Sequence, residues 1–466
     1  MDGNSCSSKW GVSLFSGAGI GDLGFRNAGV DFKVMCEKEA DRAALARLNF
    51  QNVKFFFEIQ TEMDMIINHI NDEKNKFKQD IFLCSCTAPC QGMSKNGMGK
   101  ILNNVRSGKR PILDPRNRLV LPALKIIKKI DPMIIFFENV IEMRNTVILD
   151  EFGEYRRILD IIRSELNPRY TGEAYDIEMA DYGIPQKRKR LITIYTRSNK
   201  IKRLFEDGTP LIPPATHSRF AKGGLKKWVS VWNAIKDFPP LDASCREKAR
   251  DKANPFHRVN ILDEKKYEWI KHTPAGRSAF DNQCTNPECK YQLNPSHGTN
   301  KTQEGINRSN KDTPLYCVKC GSLLPRPYTV EKNGSIRLMS GYTSAYKRMN
   351  EDFPASTLTR NFSFPCSDNK IHPTQNRVLS IAEALKIQTI SDFEYNWGPI
   401  RLNGSTRQAS DTLIRKVIGE SIPPMFTYMT GKYLWSLLSG DSYLATPGVT
   451  VQTNLSNIAF ASKFCE

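Results

Sequence analysis

The stretch SLFSGAGIGDLGF, residues 13–25, runs from an apolar strand pattern through closely spaced glycines into a helical pattern. Gly17, Gly19 and Gly21 would let the backbone turn tightly and approach a ligand at a helix N-terminus. The next strand pattern ends in Glu37, roughly 20 residues further on, where a carboxylate can accept hydrogen bonds from both ribose hydroxyls. A tight turn alone would explain the glycines, but together with Glu37 they predict a nucleoside-binding site.

Short apolar runs alternate with longer helical patterns from Trp10 to about Arg197, which is typical of βαβ units. The predicted strands are GVSLFS (11–16), FKVMCE (32–37), DIFLCS (80–85), MIIFFE (133–138), GEAYDIEMA (172–180) and RLITIYT (190–196). This alternation predicts an α/β fold with a mainly parallel sheet.

The composition of the sequence changes twice further along the chain. Residues 198–376 are rich in Pro, Asn, Gly, Lys and Ser, and a helical pattern returns over 377–466. We therefore expect a first domain over 1–197, a smaller loop-rich domain over 198–376, and a C-terminal segment that completes the first domain.

Charge and composition limit the kind of protein this is. The 466 residues carry 67 Lys and Arg against 49 Asp and Glu, a net charge of +18, which favours a polyanionic partner such as nucleic acid over a merely solvated basic surface. No apolar run approaches the roughly 20 residues of a membrane span. The N-terminus MDGNSCSSKW lacks the pattern of a signal peptide, so we expect an intracellular protein whose 12 cysteines are reduced.

The stretch TAPCQGMSKNG, residues 87–97, places Cys90 just beyond the apolar run IFLCSC and among turn-forming residues. The carboxyl ends of parallel strands form the crevices where open α/β sheets bind ligands. We therefore predict a reactive thiol near the nucleoside site, with an incidental loop cysteine as the alternative.

Two further patterns carry charge at strand ends. The apolar run IIFFENV (134–140) ends in Glu138, which must be paired or act as an acid if it is buried, unless it only caps the next helix. In QKRKR (186–190), the side chains of Gln186, Arg188 and Arg190 alternate and would face one way on an extended segment. A solvated basic turn is the alternative for this run.

Taken in order, these motifs resemble those of the cytosine-C5 DNA methyltransferases. The matching stretches are SLFSGAGIGDLGF, Glu37, APCQGMS, DPRNRL (114–119), FFENV, QKRKR, RVLSIAEALKIQ (377–388) and GESIPP (419–424). The resemblance implies a Rossmann-like methyltransferase domain that uses S-adenosylmethionine, with a target-recognition domain over 198–376. It implies methylation of carbon 5 of a flipped-out cytosine in a specific double-stranded DNA sequence.

The resemblance also assigns residues to the cofactor. Those expected to contact it are Phe15, Ser16, Gly17, Gly19, Gly21, Glu37, Glu58, Ile59, Leu119 and Glu420. Glu420 departs from the family pattern, because an asparagine normally stands at this position of GESIPP. Its carboxylate would either engage the ammonium group of the cofactor or weaken cofactor binding.

The implied mechanism rests on three residues. Cys90 would attack carbon 6 of the cytosine, Glu138 would protonate or hydrogen-bond ring N3, and Arg188 would hold the base. The expected DNA contacts are Gln91, Ser94, Gln186, Arg190, Thr357 and Arg360, with Lys222, Lys226, Lys227 and Arg326 as further phosphate contacts.

Four cysteines in the loop-rich segment have the spacing of paired zinc knuckles. Cys284-x4-Cys289 is the looser pair, and Cys317-x2-Cys320 matches tetrahedral thiolate spacing well. We predict structural Zn²⁺, with four unliganded thiols as the alternative and His297 as a spare ligand.

Other classes of function stay open at this point. A tRNA cytosine-5 methyltransferase shares the motifs, a nicotinamide oxidoreductase would explain only the glycines and Glu37, and a catalytically weakened DNA-binding relative would fit Glu420. We expect a monomer in the bacterial cytoplasm, associated with the nucleoid through DNA, with or without a restriction endonuclease that acts on the same sequence.

Overall fold

The computed structural model describes residues 9–89, 114–301, 303, 307–309, 313–339, 344–402, 404–441 and 443. Its centre is a seven-stranded sheet. The strands are β1 (Trp10–Leu14), β2 (Asp31–Cys36), β3 (Lys54–Phe56), β4 (Leu83–Cys86), β5 (Ile134–Asn139), β6 (Thr171–Glu178) and β7 (Lys189–Thr196).

The order of the strands across the sheet is β3-β2-β1-β4-β5-β7-β6. The first five are parallel, while β7 runs antiparallel to both β5 and β6. The predicted α/β fold with a mainly parallel sheet is confirmed. All six predicted strands are present, and β3 is an additional edge strand.

Eleven α-helices lie in the described part of the chain. They are α1 (Ile20–Asn27), α2 (Ala40–Asn49), α3 (Met63–Phe77), α4 (Val120–Ile130), α5 (Ile158–Leu166), α6 (Asn199–Glu206), α7 (Val231–Ile235), α8 (Glu264–Lys271), α9 (Ile381–Ile387), α10 (Asp411–Glu420) and α11 (Pro424–Ser439). Five short 3-10 helices span Pro115–Leu119, Ile141–Asn145, Met179–Tyr182, Ala279–Asp281 and Ile390–Asp392.

Six two-stranded ladders accompany the sheet among the described residues. They pair Val147–Leu149 with Tyr155–Arg157, Gln186–Lys187 with Ala355–Ser356, His217–Ser218 with Lys226–Lys227, Thr299–Lys301 with Asn307–Ser309, Tyr328–Val330 with Ile336–Leu338, and Ile400–Leu402 with Ser405–Arg407.

Helices cover both faces of the sheet. Side chains of α3, α4 and α5 pack on one face, and those of α1, α6 and α11 pack on the other. In β5, Ile135 and Phe137 belong to the first layer while Ile134 and Phe136 belong to the second. This burial on both faces explains why the β5 sequence is continuously apolar rather than alternating.

The C-terminal helix α11 packs directly on α1, the first helix of the chain. A Cβ atom built on Gly24 of α1 would lie 2.0 Å from the carbonyl oxygen of Pro424 and 2.2 Å from Oγ1 of Thr427. The same hydroxyl donates a hydrogen bond of 2.7 Å to the carbonyl of Gly21. The C-terminal segment therefore contacts the glycine loop with which the chain begins its fold.

The loop-rich segment has a small apolar core of its own around Trp269, Phe280 and Tyr346. Val231 and Ile235, which also fall within 198–376, pack instead with α9 and α10. The division at residues 197 and 376 stays a prediction. Among the described residues, no helix combines the length and the apolar character that a membrane crossing requires.

Candidate active site

The carboxyl ends of the central strands open into one cleft of about 990 Å³. Residues 15–18 after β1, Glu37 after β2, Pro89 after β4 and Glu138 at the end of β5 all line it. The fold thus brings most of the predicted nucleoside residues and the predicted acid, Glu138, to a single cavity.

Glu37 is fixed in this cleft by backbone donors. The N–H of Gly17 donates to Oε2 at 2.9 Å, and the N–H of Glu39 donates to Oε1 at 2.8 Å. Burial raises the pKa of the Glu37 carboxyl, while these N–H groups and the Arg42 guanidinium oppose that rise. Gly17 has a left-handed φ of +56°, and a Cβ there would meet nothing within 4 Å. This open space beside a fixed carboxylate fits a bound nucleoside.

Most of the residues predicted for the cofactor line the cleft. They are Phe15, Ser16, Gly17, Gly21, Glu37, Glu58, Ile59, Leu119 and Glu420. Gly19 is not among the lining residues of the cleft, and its contact with the cofactor stays a prediction. With φ at +74°, Gly19 precedes α1, and a Cβ there would lie 2.5 Å from the ring of Phe50. Its role is close packing of the glycine loop.

Glu420 is paired with an arginine that the sequence reasoning did not identify. Arg42 of α2 places one guanidinium nitrogen 3.0 Å from Oε2 of Glu420 and the other 3.8 Å from Oε1 of Glu37. Burial raises the pKa of Glu420, and the charges of Arg42, Lys416 and Arg360 oppose the rise. The unusual carboxylate therefore has a counter-charge, which it shares with Glu37.

Glu138 is paired with Arg190 at the opposite part of the cleft. Nε of Arg190 lies 2.8 Å from Oε1 of Glu138, and the two side chains are only 13% and 10% exposed. The pair forms because β7 runs antiparallel to β5, so the beginning of β7 lies beside the end of β5. Arg190, predicted to contact DNA, thus occupies the place expected for Arg188.

Arg188 does not line the cleft, which corrects its predicted position. It is fully buried and donates hydrogen bonds to the carbonyls of Leu358 at 3.0 Å, Gly419 at 3.1 Å and Ser421 at 2.7 Å. Because it joins segments far apart in sequence, Arg188 holds the C-terminal segment beside the sheet.

Gln186 is likewise buried rather than exposed to DNA. Its side chain donates to Oε1 of Gln388 at 2.6 Å and accepts from the backbone N–H of Leu358 at 2.9 Å. The predicted alternation is present, because Gln186 and Arg188 are buried and Arg190 is half-buried, whereas Lys187 and Lys189 are exposed. The side that Gln186 and Arg188 share is covered by the segment of Leu358, which bonds to both.

The comparison with known proteins decides the family. The family model described as C-5 cytosine-specific DNA methylase matches residues 11–434. The chain belongs to this family. Three relatives are similar in sequence to this methylase along most of their length. Type II methyltransferase M1.HgaI of Avibacterium volantium is 28% identical, over 89% of this chain and 95% of that protein.

The other two relatives show similar coverage. Type II methyltransferase M.XorII of Xanthomonas oryzae pv. oryzae is 30% identical, over 92% of this chain and 85% of that protein. Type II methyltransferase M.DdeI of Desulfomicrobium norvegicum is 23% identical, over 89% of this chain and 85% of that protein. The predicted family and its reaction, methylation of DNA at cytosine carbon 5, are confirmed, and the nicotinamide alternative is set aside.

Three predicted residues of the methylase, Cys90, Gln91 and Ser94, lie outside the described residues. The residues just before them are held at both sides. Oγ1 of Thr87 donates to the carbonyl of Phe15 at 2.8 Å, and Nδ2 of Asn139 donates to the carbonyl of Ala88 at 3.0 Å. Asn139 follows Glu138 directly, so β5 supplies both the acidic residue and an anchor for the approach to Cys90.

The remaining predicted contacts of the methylase lie near the cleft or in the loop-rich segment. Thr357 donates to the carbonyl of Lys187 at 2.7 Å, while Arg360 is exposed and lines the cleft. Arg326 is fully buried and donates to the carbonyls of Asn282 and Pro314, each at 2.8 Å. It is therefore a structural residue and not a phosphate contact.

The four cysteines of the methylase's loop-rich segment come together. All four sulfur atoms of Cys284, Cys289, Cys317 and Cys320 lie within 4.8 Å of one another. Two of the separations are 3.7 and 3.9 Å, and a tetrahedral zinc site with Zn–S bonds of about 2.3 Å has sulfurs roughly 3.8 Å apart. His297 does not join this group and stacks on Phe280 instead.

Proposed function

We propose that this methylase acts on a cytosine flipped out of a specific double-stranded DNA sequence, with Cys90 as nucleophile, Glu138 at ring N3 and Arg190 as the cation that orients them. The observation that carries the proposal is the Glu138–Arg190 ion pair, which lines the same cleft as the fixed carboxylate of Glu37. A heterocycle acid and a nucleoside site in one cavity suit methyl transfer to a base.

The chemistry of carbon 5 explains these residue types. Carbon 5 of cytosine is a poor nucleophile, but a bond from the Cys90 sulfur to carbon 6 makes it enamine-like. Glu138 makes that attack feasible by protonating or hydrogen-bonding N3. After carbon 5 has gained its methyl group, a base removes its proton and the thiolate leaves. Carbon 6 is inaccessible in a stacked duplex, so the base must flip out, at a cost of a few kcal/mol.

Arg190 contributes through geometry and charge. Its guanidinium contacts Oε1 of Glu138, and we assign the other carboxylate oxygen, Oε2, to ring N3. A guanidinium has several donors in a fixed plane, so Arg190 can hold Glu138 and hydrogen-bond the base at once. The pair is nearly buried, which strengthens both interactions.

The other end of the cleft fits S-adenosylmethionine, which supplies the methyl group from its sulfonium when bound. Glu37 would accept hydrogen bonds from the ribose hydroxyls, and the open space at Gly17 would admit the ligand close to the backbone. Ile59 and Leu119 are apolar lining residues suited to packing against the apolar parts of the cofactor. The pairing of Glu420 with Arg42 supports cofactor binding despite the missing asparagine.

The test is methylation in a bacterial host that lacks cytosine methylation. We expect 5-methylcytosine in one short motif of the host DNA, and none with Cys90→Ala or Glu138→Gln. Cys366→Ser, at an exposed cysteine outside the cleft, is the matched control and should methylate normally. Methylation by Cys90→Ala would refute the nucleophile, and methylation of tRNA in place of DNA would refute the substrate.

We further propose that the four cysteines hold a structural Zn²⁺ in the target-recognition domain. The support is the sulfur spacing and a surrounding segment with little apolar mass, in which a metal supplies folding energy. Metal analysis of the purified protein should find one zinc per chain, with loss in Cys320→Ser and retention in Cys366→Ser. Absence of zinc from an active preparation would favour four free thiols.

We also propose a biological setting for this methylase. The three relatives are named as type II methyltransferases, which supports a role beside a restriction endonuclease of the same specificity. We propose that the methylase acts as a monomer in the bacterial cytoplasm. Once sequencing gives the methylated motif, DNA from the expressing host should resist an endonuclease that cuts there. Digestion of that DNA would contradict a protective role, and sedimentation tests the monomer.

A further inference from the structure

A strongly basic loop lies outside the cleft and outside the four-cysteine group. We call residues 219–227 the basic loop; it contains Arg219, Lys222, Lys226 and Lys227. No Asp or Glu occurs between residues 208 and 236. Within the described part of the chain, none of the four cations has a carboxylate within 4.0 Å. Their charge is therefore not neutralised locally.

The backbone of the basic loop is tightly turned. Gly223 and Gly224 have φ of +65° and +77°, a conformation that favours glycine. The N–H of Lys222 donates to Oγ of Ser218 at 3.0 Å, and Lys226–Lys227 pairs with His217–Ser218. These contacts give the loop a defined shape, so its cations stand at set positions.

An exposed aromatic ring sits among the cations. Phe220 is 68% exposed, with the guanidinium of Arg219 at 5.0 Å and the ammonium of Lys222 at 5.9 Å from its ring centre. The guanidinium of Arg219 also lies 5.6 Å from the ring of Phe353. Aromatic rings flanked by cations suit the sugars, bases and phosphates of a nucleic acid.

The basic loop stands at the edge of the sheet onto which the cleft opens. Its stem is tied to Asp181, whose carbonyl accepts from the N–H of Thr216 at 2.9 Å and whose carboxylate accepts from the indole of Trp228 at 2.8 Å. Asp181 closely follows β6, which ends beside the beginning of β7 and thus on the side of Arg190. DNA that presents a base to Glu138 would extend past this edge.

We propose that the basic loop is a second contact with duplex DNA, in which its cations neutralise phosphates flanking the target base and Phe220 packs against the adjacent sugar or base. The proposal rests on the proposed function, because duplex DNA must be the substrate. Phosphate contacts position a protein on DNA without reading sequence. The basic loop therefore contributes affinity and placement, and other parts of the target-recognition domain contribute sequence choice.

The experiment measures the affinity of the full chain for a duplex without its target motif at several salt concentrations. Each phosphate contact contributes about 0.9 to the slope of log affinity against log salt. Lys226→Gln with Lys227→Gln should lower this slope by about 1.8. The ratio of wild-type affinity to variant affinity should therefore fall about 12-fold between about 50 and 200 mM salt. Phe220→Ala should lower the affinity by the same factor at every salt concentration and leave the slope unchanged.

The matched control removes two exposed lysines, Lys78 and Lys129, which lie where α3 and α4 end, before the amino ends of β4 and β5 and away from the cleft. Lys78→Gln with Lys129→Gln changes the net charge equally and should leave the slope unchanged. An unchanged slope in the Lys226 and Lys227 variant, or an equal change in the control, would overturn the proposal.

Two further measurements distinguish a failure of this proposal from a failure of the proposed function. Binding of S-adenosylhomocysteine should be the same in all variants, which shows that they are folded. If wild type binds no duplex DNA, the proposed substrate fails; if wild type binds DNA with the slope of the loop variant, only the role of the basic loop fails. Stronger binding to duplex RNA of equal length would refute DNA as the partner of the loop.

Discussion

Arg188 and Arg190 stand two residues apart, and the structure predicts that their loss has opposite consequences. Arg190→Met removes the partner of Glu138 at 2.8 Å in a nearly buried pair. Removing one such electrostatic group from an active site typically lowers the catalytic rate constant by about 100- to 1,000-fold, or about 3–4 kcal/mol. Because Glu138 lines the cleft, where water can replace the lost guanidinium, we expect a smaller loss in the free energy of unfolding than for Arg188→Met.

Arg188→Met should instead destabilise the fold. The change leaves one buried and two half-buried carbonyls without the charged donor that now serves them at 3.0, 3.1 and 2.7 Å. At roughly 1.5–3 kcal/mol for a hydrogen bond to a charged group, the loss is on the order of 5 kcal/mol. That is a large share of a total stability of about 5–15 kcal/mol.

The assay pairs single-turnover methyl transfer with urea denaturation. Lys189→Gln is the matched control, since Lys189 is exposed between the two arginines and should change neither quantity. The reasoning would be refuted if Arg190→Met kept the wild-type rate. It would also be refuted if Arg188→Met unfolded at the wild-type urea concentration while losing activity, because Arg188 would then act directly on the substrate.

Three other changes have defined outcomes. Gly24→Ala should destabilise the protein by about 3 kcal/mol or more in urea denaturation, because its Cβ would lie 2.0 Å from the carbonyl oxygen of Pro424. Burial raises the pKa of Asp22 to about 7 from 3.8. The folded state therefore holds a proton that the unfolded state has released, and the free energy of unfolding of wild type falls as pH rises between these values. In denaturation curves, the free energy of unfolding of Asp22→Asn should fall by on the order of 4 kcal/mol less than that of wild type between about pH 4 and pH 8. Arg42→Met should weaken S-adenosylhomocysteine binding in calorimetry, because the carboxylates of Glu37 and Glu420 lose the guanidinium that they share. Adding Glu420→Gln should restore most of the affinity. Equal affinity of the single and double variants would contradict this charge balance.

Local patterns sufficed for the framework of the fold. Most of the six predicted strands are short apolar runs that needed no partner to be recognised, and the glycine loop follows β1 as expected. β3 escaped notice because its apolar run, residues 55–57, has only three residues, fewer than the roughly four to eight that predict a buried strand. Pairs of cysteines with knuckle spacing could likewise be predicted from sequence alone.

The positions of individual side chains depended on contacts between distant segments. Gln186, Arg188 and Arg190 alternate with the exposed Lys187 and Lys189, as a period of two predicts. Five residues cannot show what covers the inner side. Gln186–Lys187 pairs with Ala355–Ser356, and Arg188 bonds to the carbonyls of Leu358, Gly419 and Ser421.

By itself, then, the sequence of this methylase determined the strands, the glycine loop, the family and the residue types of its chemistry, because each of these is encoded in a short stretch. Only the tertiary structure decided that Arg190 and not Arg188 meets Glu138, and that Arg42 balances both Glu37 and Glu420. Arg42 and Glu420 are separated by almost the whole chain, and their pairing arises because α10 returns to the glycine loop. The physical reason is that charge pairing acts through space, whereas a sequence pattern records only neighbours along the chain.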